Sequence, residues 1–106
     1  MNESAPLLRE VFPDLAAELS TLLTAEGETE LAISVHDLRL VDECRCEDDF
    51  CQSLRTADHP AGEPYPAGHR TLALSPAAGM LTLDVVDGRI MYVEVLYRAP
   101  LARGDS

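Results

Sequence analysis

Residues 81–97 read Leu-Thr-Leu-Asp-Val-Val-Asp-Gly-Arg-Ile-Met-Tyr-Val-Glu-Val-Leu-Tyr, and no other stretch constrains the fold as much. Two runs of apolar and β-branched residues flank Asp87-Gly88, a dipeptide that tolerates the left-handed backbone of a two-residue hairpin turn. Such a hairpin needs further strands or a helix, because two strands alone are marginal in water. Its register stays open on sequence grounds. Met91, Val93 and Val95 share one face, Ile90, Tyr92 and Leu96 the other, and a one-residue slip exchanges them. Apolar residues on both faces mark a strand inside the sheet, covered by helix on one side and open to a partner on the other.

The preceding chain supplies the rest of such a sheet. Residues 70–74 and 80–86 read as short strands divided by a turn at 76–79, and residues 57–69, with three prolines and two glycines, as a loop. In residues 38–46, Leu38, Leu40, Cys44 and Cys46 share one face, while Arg39, Val41, Glu43 and Arg45 share the other. Glu47, Asp48 and Asp49 make a turn, after which residues 50–56 return antiparallel. Before the strands, Leu15, Leu19, Leu22 and Leu23 form one stripe at helical period, with Pro13 suited to the first turn and Gly27 to the stop. Leu7, Leu8, Val11 and Phe12 form a preceding turn on the same core. Residues 29–37 fit a short helix capped by Thr29, through Leu31, Val35 and Leu38, but Leu31, Ile33 and Val35 also alternate as a strand; the helix is preferred. The sum is one α+β domain over residues 1–106. One or two N-terminal helices within 1–37 pack on an antiparallel β-meander of about five strands within 38–97, and residues 98–106 form a frayed tail.

Charge narrows the partners. Nineteen acidic residues face eight basic ones, all arginine, for a formal charge of −11. That field repels nucleic-acid phosphates and anionic lipid, and favours basic protein surfaces or cations; it also serves plain solubility. No segment is long or apolar enough to span a bilayer, and Met-Asn-Glu-Ser lacks the basic start and apolar run of a signal peptide. Three cysteines, an odd number, suit a reducing cytoplasm. Absent lysine and abundant Ala, Arg, Leu and Asp point to a GC-rich bacterial genome.

One segment holds the candidates for chemistry. Cys44-Arg45-Cys46-Glu47-Asp48-Asp49-Phe50-Cys51 gathers all three thiols. Structural zinc wants four ligands in tetrahedral geometry. Cys44 and Cys46 point the same way from a strand, and Cys51 sits opposite Cys46 across a two-residue turn. The fourth ligand, His59 or His69, would need the 57–69 loop to fold back over roughly 17 Å of strand. Two other readings stand beside zinc: small buried core cysteines, or a Cys46–Cys51 cross-turn redox pair. His36, His59 and His69 fall towards one end of a simple meander and make a second metal hypothesis, beside their reading as ordinary loop or edge residues. No Gly-rich phosphate loop, Gly-x-Ser-x-Gly or His-Glu-x-x-His occurs, and nothing marks Asp84, Asp87 or Glu94 as an acid/base pair.

The Cys44–Cys51 motif, together with Asp84-Val-Val-Asp-Gly-Arg-Ile90 and Val93-Glu-Val-Leu96, resembles a small family of actinobacterial proteins of unknown function. The final hairpin is also similar to a widespread bacterial domain that ends in an Asp-x-x-Gly turn and an apolar strand. Both resemblances imply fold and source, and neither brings an activity or site residues to carry over. The leading expectation is a non-enzymatic cytoplasmic domain that binds a protein partner or itself, with no cofactor. The rival is a metal-binding or redox-responsive protein using Cys44, Cys46 and Cys51, with zinc as its metal.

Overall fold

The computed structural model describes residues 5–43, 51–57, 64–98 and 101–104. Three α-helices come first: α1 (Leu8–Val11), α2 (Pro13–Ala25) and α3 (Thr29–Ser34), the last running into a 3-10 turn at Val35–Asp37. The strands are β1 (Asp42–Glu43), β2 (Leu54–Arg55), β3 (His69–Leu74), β4 (Met80–Val86) and β5 (Arg89–Leu96). They form one antiparallel sheet in the order β1-β2-β5-β4-β3, with the helices against one face. The α+β architecture read from the sequence is the one observed.

Helix α2 follows its leucine stripe. Leu15, Ala16, Leu19 and Leu23 are buried, and Leu22 packs at the rim of the core. Pro13 opens the helix, where its missing N–H costs nothing. Gly27 closes it at φ +80: its N–H donates to the Thr24 carbonyl while that of Glu28 donates to Leu23. That pair of bonds is a Schellman motif, and the positive φ is why glycine stands there. Leu8 and Phe12 of the preceding turn are buried in the same core.

Residues 29–37 are helical, and Ile33 decides the matter. Leu31, Val35 and Leu38 are buried at helical spacing, whereas Ile33 is 68% exposed; a strand would have put it beside Leu31 and Val35. Thr29 is not the cap. It is the first helical residue, Glu28 holds the cap position, and no side chain caps the end.

The final hairpin settles its own register through a bulge. Asp87 (φ 50) and Gly88 (φ +81) form the two-residue turn, both left-handed as a type I′ turn requires. From there Val86 faces Arg89 and Val85 faces Ile90, but Asp84 faces Tyr92, so Met91 is the extra residue. The bulge flips the alternation, and Ile90, Val93 and Val95 all point into the core with Leu81, Leu83 and Val85. β5 is the central strand, between β2 and β4.

The meander is interrupted at β2. β1 and β2 are neighbours, as are β3, β4 and β5, but β2 pairs with β5 and not with β3. The strand expected over 38–46 is short among the described residues. Leu38 and Leu40 are buried, but their backbones bond the N-terminal segment, with Leu8 N–H donating to Leu38 and Leu40 N–H to Pro6. The tail is also not frayed where it is described. Leu101 N–H donates to Gln52 Oε1 (2.7 Å), Gly104 N–H donates to Val11 (2.7 Å), and Arg103 stacks on Phe12. A Cβ at residue 104 would collide with the Glu10 carbonyl, so only glycine fits that approach. No helix among the described residues is long and apolar enough to cross a membrane.

Candidate functional site

The sheet face away from the helices carries a row of side chains that the strand order lines up. Asp42 faces Arg55, Arg55 faces Tyr92, Tyr92 faces Asp84, and Asp84 faces Thr71, one residue from each of the five strands. Directly opposed residues lie about 5 Å apart, so the row is a continuous band. Asp84 is its hub. Its Oδ1 accepts from Thr71 Oγ1 (3.3 Å) and lies 2.9 Å from His69 Nε2. The Tyr65 ring stacks on His69 with centroids 4.5 Å apart, and the Arg55 guanidinium sits 6.0 Å from the Tyr92 ring centre. Burial pushes the Tyr65 phenol above its ordinary value; the charge of Asp84 adds to this, and Arg55 works against it.

Towards the other end of the face the character changes. Ala73 and Thr82 are paired, Thr82 faces Glu94, and beyond them Met80 faces Leu96, which bridges to Cys51. Met80 is 47% exposed and Leu96 half-buried. The face thus runs from a polar, aromatic band beside the hairpin turn to an apolar edge at the opposite end.

The structure separates two of the residues singled out in the sequence. Cys51 lies against Leu96 at one end of β4–β5, and His69 lies opposite Val86 at the other, about 20 Å away along the strands. His69 is engaged with Asp84 rather than with a thiol. Cys44, Cys46 and His59 lie outside the described residues. Cys51 borders an open depression of about 160 Å³ with Phe12, Glu43, Ser53 and Arg103, its Sγ 3.7 Å from Ser53 Oγ. His36 sits beside Asp37 on the 3-10 turn. Among the described residues no three His, Cys, Asp or Glu side chains come together as a metal site.

Sequence reasoning missed the band across the face. Its members are spread from residue 42 to residue 92, and only the placement of β2 against β5 makes them neighbours. The available signal was Asp84 at an outward position on β4, with an aromatic residue outward on β5. Chemically the band offers aromatic surface, hydrogen-bonding groups and a carboxylate at its centre. Among the described residues no hydroxyl or thiol is hydrogen-bonded to the His69 ring as a nucleophile would be. Comparison with family models, with curated proteins and with solved structures returned no match.

Proposed function

We propose that the protein is a non-catalytic binding domain that presents the helix-free face of its sheet to a positively charged protein segment. The observation that carries this reading is the band from Asp42 to Thr71, with Tyr92, Tyr65 and Asp84 at its centre. Aromatic residues beside hydrogen-bonding groups are the usual anchors of protein interfaces. The charge of −11 draws basic segments towards the molecule, and Asp84 and Glu94 on this face give them a point of contact. Three cysteines, an odd number, and the repulsion of phosphates fit a cytoplasmic partner that is protein rather than nucleic acid or membrane.

The test is a backbone-amide NMR titration with a short peptide alternating arginine and valine. Saturable shifts at Thr82, Asp84, Tyr92 and Glu94 are expected, weakening with salt, with Tyr92→Ala reducing affinity by about tenfold. Shifts confined to the acidic helix surface, or binding indifferent to Tyr92→Ala, would overturn the reading.

A further inference from the structure

We infer that β3 is a self-association edge, on which a second copy of this chain adds its own β3 antiparallel to make one continuous sheet. The backbone shows which groups are available. Asp87 N–H donates to the Gly68 carbonyl, so alternation assigns the bonds to β4 to Arg70, Leu72 and Leu74. The N–H and C=O groups of Thr71 and Ala73 therefore point away from the sheet, and among the described residues they have no partner. Edge strands are commonly protected by a proline, a bulge or a charged side chain. β3, which reads His-Arg-Thr-Leu-Ala-Leu, has no proline, its pairing with β4 runs through all six residues without a shift, and its one full charge, Arg70, is tied to Glu28.

Charge permits a second copy as the occupant, and the self-complementarity of the strand selects it. Two chains of −11 repel, but at physiological salt that repulsion is screened beyond about 8 Å, so the charges at the contact decide. Residues 64–83, which hold all of β3, the following turn and Met80, contain no Asp or Glu. The one full charge on the strand, Arg70, is held by both carboxylate oxygens of Glu28 at 2.8 and 3.1 Å. With Glu28 paired to Arg70, and Asp84 one strand in from the edge and held by His69 and Thr71, two such acidic molecules can approach here without opposing unpaired carboxylates.

The sequence also fits itself in one register. With Leu72 facing Leu72 of the second copy, Thr71 of each chain pairs with Ala73 of the other, giving four main-chain hydrogen bonds about a two-fold axis. Leu72 is half-buried at the helix-side margin of the core, and its counterpart would complete that burial. Arg70 then faces Leu74 rather than another arginine. A contact of this length is small, so the dimer is weak and concentration-dependent.

This inference shares the binding-domain reading but uses a different surface, and the two fail separately. Sedimentation velocity on the full chain, at protein concentrations up to about 0.5 mM, tests it. The weight-average mass should rise from 11.5 kDa towards twice that value. Ala73→Pro removes an N–H that has no bond within the monomer and should weaken the dimer by about tenfold or more. Ala73→Lys, at an exposed edge position, should do the same where proline disturbs the fold, with circular dichroism confirming the folded state. A mass of one chain at every concentration would overturn the inference. So would a dimer unaffected by both substitutions; loss of that dimer on Tyr92→Ala would move the contact to the open face.

Discussion

The β3–β4–β5 half of the sheet is held by alternation, while the β1–β2 half supplements its few ladder bonds with side chains reaching for backbone. In the first, Leu81, Leu83 and Val85 interlock with Ile90, Val93 and Val95 over long, nearly continuous registers. In the second, β1 and β2 are two residues each, too short to lock by pattern. Buried hydroxyls take over there. Ser53 Oγ accepts the Val95 N–H at 3.1 Å, and Thr56 Oγ1 donates to the Ile90 carbonyl at 2.8 Å. Gln52 adds two more ties, donating to the Arg98 carbonyl and accepting from Leu101 N–H. A sheet can be specified by many weak apolar contacts or by a few satisfied polar groups; on the β2 side of β5 this molecule adds the second to the buried Leu54 and the backbone bonds of Gln52 and Thr56.

The comparison makes a ranked prediction. Leu83→Ala, at a fully buried position in the alternating half, should cost about 3–4 kcal/mol as lost transfer energy plus a cavity. Ser53→Ala, 1% exposed in the other half, should cost about 1–3 kcal/mol, because it leaves the Val95 N–H buried without an acceptor. Urea denaturation of both variants gives the two numbers directly. If the serine change cost more than the leucine change, hydroxyl bonding rather than apolar packing would dominate the sheet, and the contrast would have to be reversed.

The same contrast explains what could be read from the sequence. Periodic features were legible: the leucine stripe of α2, the glycine stop, the Asp87-Gly88 turn and the α+β class all appear as spacings between neighbouring residues. The register of β5 was not, because a bulge at Met91 leaves no mark except apolar residues on both faces. The place of β2 was equally hidden. Its pairing with β5 is helped by Ser53 and Thr56, polar residues of the returning strand whose burial against β5 leaves no mark in the sequence. The candidate band fell with that pairing, since Arg55 meets Tyr92 only when β2 lies beside β5. The cysteine segment drew attention by its composition, yet Cys51 and His69 are at opposite ends of the sheet. The pinned tail was missed for a similar reason: Gly104 and Arg103 contact Glu10, Val11 and Phe12, far away in the chain.

Tyr65 offers the smallest and most specific probe, because the band it sits on crosses both halves. Its phenol is raised above 10.0, chiefly by burial and further by Asp84. A raised folded-state pKa means that the native protein holds the proton more tightly than the unfolded chain does. The associated stability is therefore complete below the unfolded phenol pKa and is lost as pH rises through the folded one. Thermal melts should show an alkaline loss of stability that Tyr65→Phe reduces. In phenolate absorbance titrations, the component removed by Tyr65→Phe should lie above the ordinary phenol range. Asp84→Asn should bring that component down only partway, since it removes the charge and leaves the burial. A full return to the ordinary value would make the Asp84 charge the dominant cause, and tie the band together by electrostatics rather than by packing.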